Sequence, residues 1–222
     1  DYPAVKDKRA GIQDMGSQLV AEIFAATLDE SAANWLDLCA GPGGKAALIN
    51  NILKVSAPEV SFTANEPTKH RAELVARVLP ASQIISFDGR KFEDFPIKYD
   101  RILIDAPCSG LGALRRRPEA RWRRSLNDLK ELIPLQRDLI DSAYQMLNPG
   151  GIIGFATCSP LLAETKAQIL DAKHRFKDLE LMDISEFSPA GSTGVLADGT
   201  LQLWTHLDGS DSMFMALLRK KL

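Results

Sequence analysis

At 222 residues, with 45% hydrophobic and 25% charged residues, the chain holds enough apolar material for one soluble domain and lacks the bias of a disordered or fibrous protein. No apolar run approaches the roughly 18 residues a bilayer-crossing helix needs, and the opening Asp1 to Arg9 lacks the order of a secretion signal, so a cytoplasmic protein without a membrane partner is expected. The net charge of −2 gives no global basic footprint, and Cys39, Cys108 and Cys158 are too scattered for a disulfide framework or a zinc knuckle, so no metal is expected.

Before residue 34 there is one helical period, Ser17 to Thr27, and no strand, so residues 1–33 read as a flank packed on a main domain spanning 34–222. From there short apolar runs alternate with helical patterns. Strands are expected at Trp35 to Cys39, Val60 to Asn65, Gln83 to Ser86, Arg101 to Asp105 and Ile152 to Ala156. Helices are expected at Lys45 to Leu53, Thr68 to Val78, Leu135 to Met146 and Ala163 to Phe176. Asn148-Pro149-Gly150-Gly151 reads as a helix stop followed by a strand start. Past Phe176 the alternation ends, and Leu201 to Trp204 and Met213 to Leu218 flank a polar turn, His206 to Ser212, as an antiparallel hairpin. An α/β fold with a mostly parallel seven-stranded sheet, helices on both faces and such a hairpin resembles the Rossmann-like class I methyltransferases; a dinucleotide dehydrogenase would continue with a second mononucleotide-binding half.

Between the first strand and the next helix lies Asp37-Leu38-Cys39-Ala40-Gly41-Pro42-Gly43-Gly44-Lys45, where glycines let backbone approach a ligand and helix amides face a crevice. A P-loop is excluded, because Cys39 stands where its first glycine belongs and Ala46 lacks the magnesium-binding hydroxyl. The dinucleotide pattern is also incomplete. Glu66, at the end of the second strand, is placed to accept from the ribose hydroxyls of an adenine-containing cofactor, and Asp88, past the third, from the adenine amino group. Either alone would read as a capping or turn carboxylate; their joint placement at successive strand ends favours a nucleotide site.

Ligands in such sheets bind outside the carboxyl ends of the strands, and the fourth and fifth strands both run into a cysteine: Asp105-Ala106-Pro107-Cys108-Ser109-Gly110 and Thr157-Cys158-Ser159-Pro160. A lone cysteine is more often a small buried hydrophobe, and Cys39 is read that way at this point. Cys108 and Cys158 share polar, turn-rich settings beside the expected crevice, unlike a core.

With these motifs on view, the chain resembles the catalytic domain of the Fmu/Sun family, the bacterial 16S ribosomal RNA cytosine-C5 methyltransferases of the B type, almost end to end. The likeness includes Ile12-Gln13-Asp14 with Gly16-Ser17, the Gly-Pro-Gly-Gly-Lys loop, both cysteine contexts, Arg116-Arg117-Pro118 to Trp122, Leu135-Gln136 and the final hairpin. The resemblance implies S-adenosylmethionine as cofactor and small-subunit ribosomal RNA as partner. It implies Cys158 as nucleophile, Cys108 as the thiol that assists product release, Asp105 as a contact to the base, and Lys45 reaching toward the reaction centre. The implied cofactor lining is Cys39, Ala40, Gly41, Pro42, Gly43, Gly44, Lys45, Glu66, Arg71, Asp88, Gly89, Asp105 and Pro107. It further implies a monomer and an N-terminal RNA-binding domain outside this sequence, which then reads as an excised catalytic module. Departures from the family pattern are Ala40-Gly41 in place of two alanines, Thr165 after Glu164 in place of asparagine, and Thr205 in place of proline.

The chemistry asks for these residue types. Carbon 5 of cytosine is a poor nucleophile until a thiolate adds at carbon 6, and the target base must leave its stack to enter a pocket. A local basic patch, Arg115, Arg116, Arg117, Arg121, Arg123 and Arg124 around Trp122, is expected either to track RNA phosphates with Trp122 as a stacking surface or to be a solvated face with Trp122 buried as an anchor. Two rival readings remain: an amino-group methyltransferase, which needs no thiol, and a catalytically silent RNA-binding module of the same fold.

Overall fold

A computed structural model describes residues 2–7 and 10–222; Asp1, Lys8 and Arg9, part of the opening read above for a secretion signal, lie outside the described residues. In chain order the elements are α1 Pro3–Lys6, α2 Met15–Ala25, β1 Asn34–Asp37, α3 Gly44–Ser56, β2 Ser61–Asn65, α4 Lys69–Val75, β3 Ile84–Ile85, β4 Tyr99–Asp105, α5 Ala120–Arg123, α6 Leu126–Met146, β5 Leu147–Thr157, α7 Lys166–Arg175, β6 Leu179–Leu181, β7 Leu201–Gln202, α8 Thr205–Asp208 and β8 Phe214–Lys220. The strands form one sheet in the order β3-β2-β1-β4-β5-β8-β6, with the two-residue β7 pairing β8 beside that path. The β3-β2-β1-β4-β5 part is parallel, and β8 runs antiparallel to β5, β6 and β7. Strand order reverses at β1 and β4, which opens the ligand crevice at their carboxyl ends.

Period-2 alternation explains why both faces are covered. Trp35, Leu103, Ile152, Ala156, Met215 and Leu217 join one core cluster with Val20, Ile23 and Phe24 of α2 and Ile49 of α3. Their chain neighbours Leu36, Ile102, Ile104, Ile153, Phe155, Ala216 and Leu218 join the other, with Leu139, Ile140 and Ala143 of α6. Each strand is apolar on both sides because each side meets helices. Among the described residues no helix is long and apolar enough to cross a membrane.

Several expectations need correction. The helix expected from Leu135 begins at Leu126 and runs straight through Pro134. Its start is the Ser125 capping box, in which Asp128 accepts from the Ser125 backbone N–H. The Asn148 to Gly151 stretch does follow a helix end, at Met146, and lies within the opening of β5, with Gly150 at φ 77° and a register shift against β4. The strand β6 was not foreseen, because Leu179-Glu180-Leu181 is too short to show a period. It lengthens the terminal antiparallel part beyond a hairpin, and the path of the sheet thereby reaches seven strands with β7 as an eighth. Trp204 lies outside β7, and the polar turn contains the single helical turn α8.

Candidate active site

The loop after β1 is shaped by what its glycines permit. Gly43 caps α3 at φ 110°, a left-handed conformation that side chains disfavour. At Gly41 a Cβ atom would stand 2.2 Å from Glu66 Oε2. The Gly41 N–H donates to that oxygen at 3.2 Å, the Arg71 guanidinium donates to the Gly41 carbonyl, and Ala40 N–H donates to the Asn65 carbonyl at 2.9 Å. Glu66 itself is 2% exposed, and its other oxygen accepts from Thr68 N–H at 2.9 Å. Cys39 sits in the turn beyond β1, half-buried; burial first, then the Asp37 carboxylate, pushes its thiol well above the ordinary value.

Deeper in the crevice, Lys45 Nζ donates to Asp105 Oδ2 at 2.9 Å. Burial works against the Lys45 charge, yet Asp105 holds its pKa above the usual lysine value. Asp37 is fully buried, with Oδ2 lacking any hydrogen-bond partner; burial, reinforced by Asp105, lifts its carboxyl from 3.8 to about 7. Asp88 and Gly89 follow β3, Asp88 half-buried and Gly89 buried. Asp88 is chelated by its own neighbour, Arg90, whose Nε and Nη2 donate at 2.9 and 2.7 Å and hold the carboxyl down at about 2. Gly89 packs tightly, since a Cβ there would lie 2.9 Å from Leu139.

The two cysteines in the loops after β4 and β5 meet. Cys108 Sγ and Cys158 Sγ are 3.3 Å apart, and both residues are half-buried. Cys158 is held below the ordinary thiol value by the hydrogen bond from Cys108 and by the Lys45 charge, with burial and Asp105 opposing. Cys108 is held well above it by the same hydrogen bond and by burial. The two neighbouring thiols are thus pushed in opposite directions, Cys158 toward ionisation and Cys108 away from it.

What sequence reasoning missed is the frame behind the sulfurs. The Glu164 carboxylate is fully buried and accepts from Ser109 N–H, the Ser109 and Ser159 hydroxyls and Gln136 Nε2. Gln136 also donates to the Pro107 carbonyl at 2.8 Å. The serine after each cysteine was the available signal.

The basic patch divides. Arg115 pairs with Asp14 at 2.6 Å and Arg116 with Asp211, both carboxylates being buried, so these two tie the loop to the domain. Arg124 Nε donates to the Ser109 carbonyl at 3.0 Å. Among the described residues Arg117, Arg121 and Arg123 form no ion pair. Trp122 is 84% exposed, which overturns its reading as a buried anchor, and the Arg121 guanidinium lies 5.8 Å from its ring centre.

Residues 25–219 match the family model described as 16S rRNA methyltransferase RsmB/F. A Mycobacterium tuberculosis protein carrying the general name methyltransferase is 48% identical over 223 residues, covering 97% of this chain and 47% of its own. The ribosomal RNA small subunit methyltransferase B of Erwinia tasmaniensis is 33% identical over 216 residues, covering 95% of this chain and 47% of its own. The chain thus spans about half the length of the curated relatives it matches. The solved structure of NSun6 from Pyrococcus horikoshii with SFG superposes with a TM-score of 0.82 at 25% identity, covering 99% of this chain and 55% of that one. Sheet order, glycine loop and family match agree: the chain belongs to the RsmB/F family of 16S rRNA methyltransferases.

Proposed function

We propose that this domain transfers a methyl group from S-adenosylmethionine to carbon 5 of a cytosine in small-subunit ribosomal RNA, through a covalent bond between Cys158 and carbon 6 of the base. The observation that carries the reading is the pair of sulfurs 3.3 Å apart, only one of which is eased toward thiolate, beside the Lys45–Asp105 ion pair. An amino-group methyltransferase has no use for such a pair.

The crevice suits the cofactor. Its carboxylates Glu66 and Asp105 balance the cations Lys45 and Arg71, Asp37 is poised to ionise beside a sulfonium, and Glu66 keeps lone pairs for ribose hydroxyls. The residues that would hold it are the Cys39 to Lys45 loop, Glu66, Arg71, Asp88, Gly89, Asp105 and Pro107. When bound, S-adenosylmethionine supplies an electrophilic methyl group.

The chain's own residues do the rest. Cys158 thiolate adds to carbon 6, and the displaced π electrons run toward ring nitrogen 3, which takes a proton from the Lys45–Asp105 pair. Carbon 5 thereby becomes enamine-like and nucleophilic. Once the Cys158 charge is consumed in a carbon–sulfur bond, Cys108 loses the partner that kept it protonated and its proton is released to water. As thiolate it receives the hydrogen of methylated carbon 5; the carbon–hydrogen electrons restore the ring double bond, Cys158 leaves as thiolate, and nitrogen 3 returns its proton. Asp105 accepts from the exocyclic amino group and orients the base.

RNA reaches the crevice across α5, where Arg117, Arg121 and Arg123 meet phosphates and exposed Trp122 stacks a base. The reading is supported by the names of the family and of the Erwinia relative, and by the SFG in the NSun6 structure. It is tested by incubating 16S rRNA with the protein and a methyl-labelled donor, then digesting to nucleosides. Label is expected in 5-methylcytidine, and Cys158→Ala should cut it by about a thousandfold or more. Label in an N-methylated nucleoside, or a Cys158→Ala protein at wild-type rate, refutes the reading.

A further inference from the structure

Glu164 is fully buried behind both reactive thiols. Its Oε1 accepts from the Ser109 N–H at 2.8 Å and from Gln136 Nε2 at 3.2 Å, and its Oε2 accepts from the hydroxyls of Ser109 and Ser159, each at 2.6 Å. Its backbone carbonyl accepts from Thr157 Oγ1 at 3.2 Å. Gln136, one of its donors, reaches on to the carbonyl of Pro107. The residue after each cysteine, Ser109 and Ser159, thus binds one fully buried side chain, while Thr157 is tied to the backbone of the same residue and Pro107 to it through Gln136. Packing alone does not require an ionisable group there, since burying a charge costs more than burying an amide of the same shape. Four donors, three from the loops after two strands and one from α6, do require an acceptor with two oxygens.

We propose that Glu164 is the positioning residue of the thiol pair, locking the loops after β4 and β5 against each other so that Cys158 alone is presented as the attacking sulfur. The inference rests on Cys158 being the nucleophile and goes beyond it by naming what decides between two neighbouring thiols. The hydrogen bond to Cys158 and burial keep Cys108 protonated, and the Glu164 charge adds to both.

Sulfur selectivity reads this directly, without RNA or cofactor. The folded protein is labelled briefly with iodoacetamide near neutral pH, and the Cys158 and Cys108 peptides are quantified by mass spectrometry, with thermal melts in parallel. Wild type is expected to label mainly at Cys158. Glu164→Gln keeps size and removes the charge, and the Cys158 to Cys108 labelling ratio should fall about tenfold. Glu164→Asp keeps the charge but is too short to hold both serines, and should give an intermediate ratio. If Glu164→Gln does not fold, Glu164→Asp carries the test, with a fall of at least about threefold expected. A wild-type ratio in the folded variants, whatever their melting temperatures, overturns the role of Glu164 and leaves the nucleophile assignment standing. Wild-type labelling mainly at Cys108 contradicts that assignment and the inference with it.

Discussion

Asp37 shows how far one crevice residue is pushed from its ordinary chemistry. With its carboxyl lifted from 3.8 to about 7 by burial and by Asp105, the folded chain keeps a proton that the unfolded chain has lost between those values. Stability should therefore decline as pH rises across that window, because the native state binds more protons there. Asp37→Asn removes the titration. In urea unfolding at about pH 5 and about pH 8, wild type should lose roughly 1–3 kcal/mol more than the variant on going to the higher pH. Equal losses would show that Asp37 ionises normally. The unequal thiols follow the same logic of neighbours: which sulfur ionises depends on the hydrogen bond and charges around the pair, and no spacing in the sequence reveals that.

Elements bring distant residues into contact by ending in the right place. β1, β2, β4 and β5 all finish at one rim, so Asp37, Glu66, Asp105 and Cys158 converge although they are scattered along the chain. The glycine loop depends on closeness that only a missing side chain allows. Gly41→Ala would drive a methyl group to within 2.2 Å of Glu66 Oε2 and displace Glu66 and Arg71 together. Calorimetric titration with S-adenosylmethionine should show affinity reduced by about tenfold or more, corresponding to 1–3 kcal/mol for a disrupted buried contact. Unchanged affinity would remove this loop from the cofactor site. Strand ends and the glycine turn were legible in the sequence because apolar runs and glycines are local signals. The first half of α6 was not, because Pro134 masked a helix whose cap lies at Ser125. Nor was the Glu164 frame, which joins α6 and the loops after β4 and β5 through hydrogen bonds that leave no period in the sequence.

On the scale of the whole molecule, the mostly parallel sheet and its antiparallel end were readable from alternating patterns, while the surface was only half readable. Six clustered arginines look alike in a sequence. The fold spends Arg115 and Arg116 on the buried carboxylates Asp14 and Asp211, and leaves Arg117, Arg121 and Arg123 around Trp122 facing solvent. Replacing these last three by glutamine should weaken RNA binding and lower the slope of log affinity against log salt by about 2 to 3, the value for three lost phosphate contacts. An unchanged slope would place RNA on another face. The covalent step can be read most directly by mixing the protein with S-adenosylmethionine and a 16S rRNA fragment carrying 5-fluorocytosine, whose fluorine blocks loss from carbon 5. Peptide mapping by mass spectrometry should find the RNA base bonded to Cys158; an adduct at Cys108 instead, or methylated RNA released with no adduct at all, would contradict the mechanism.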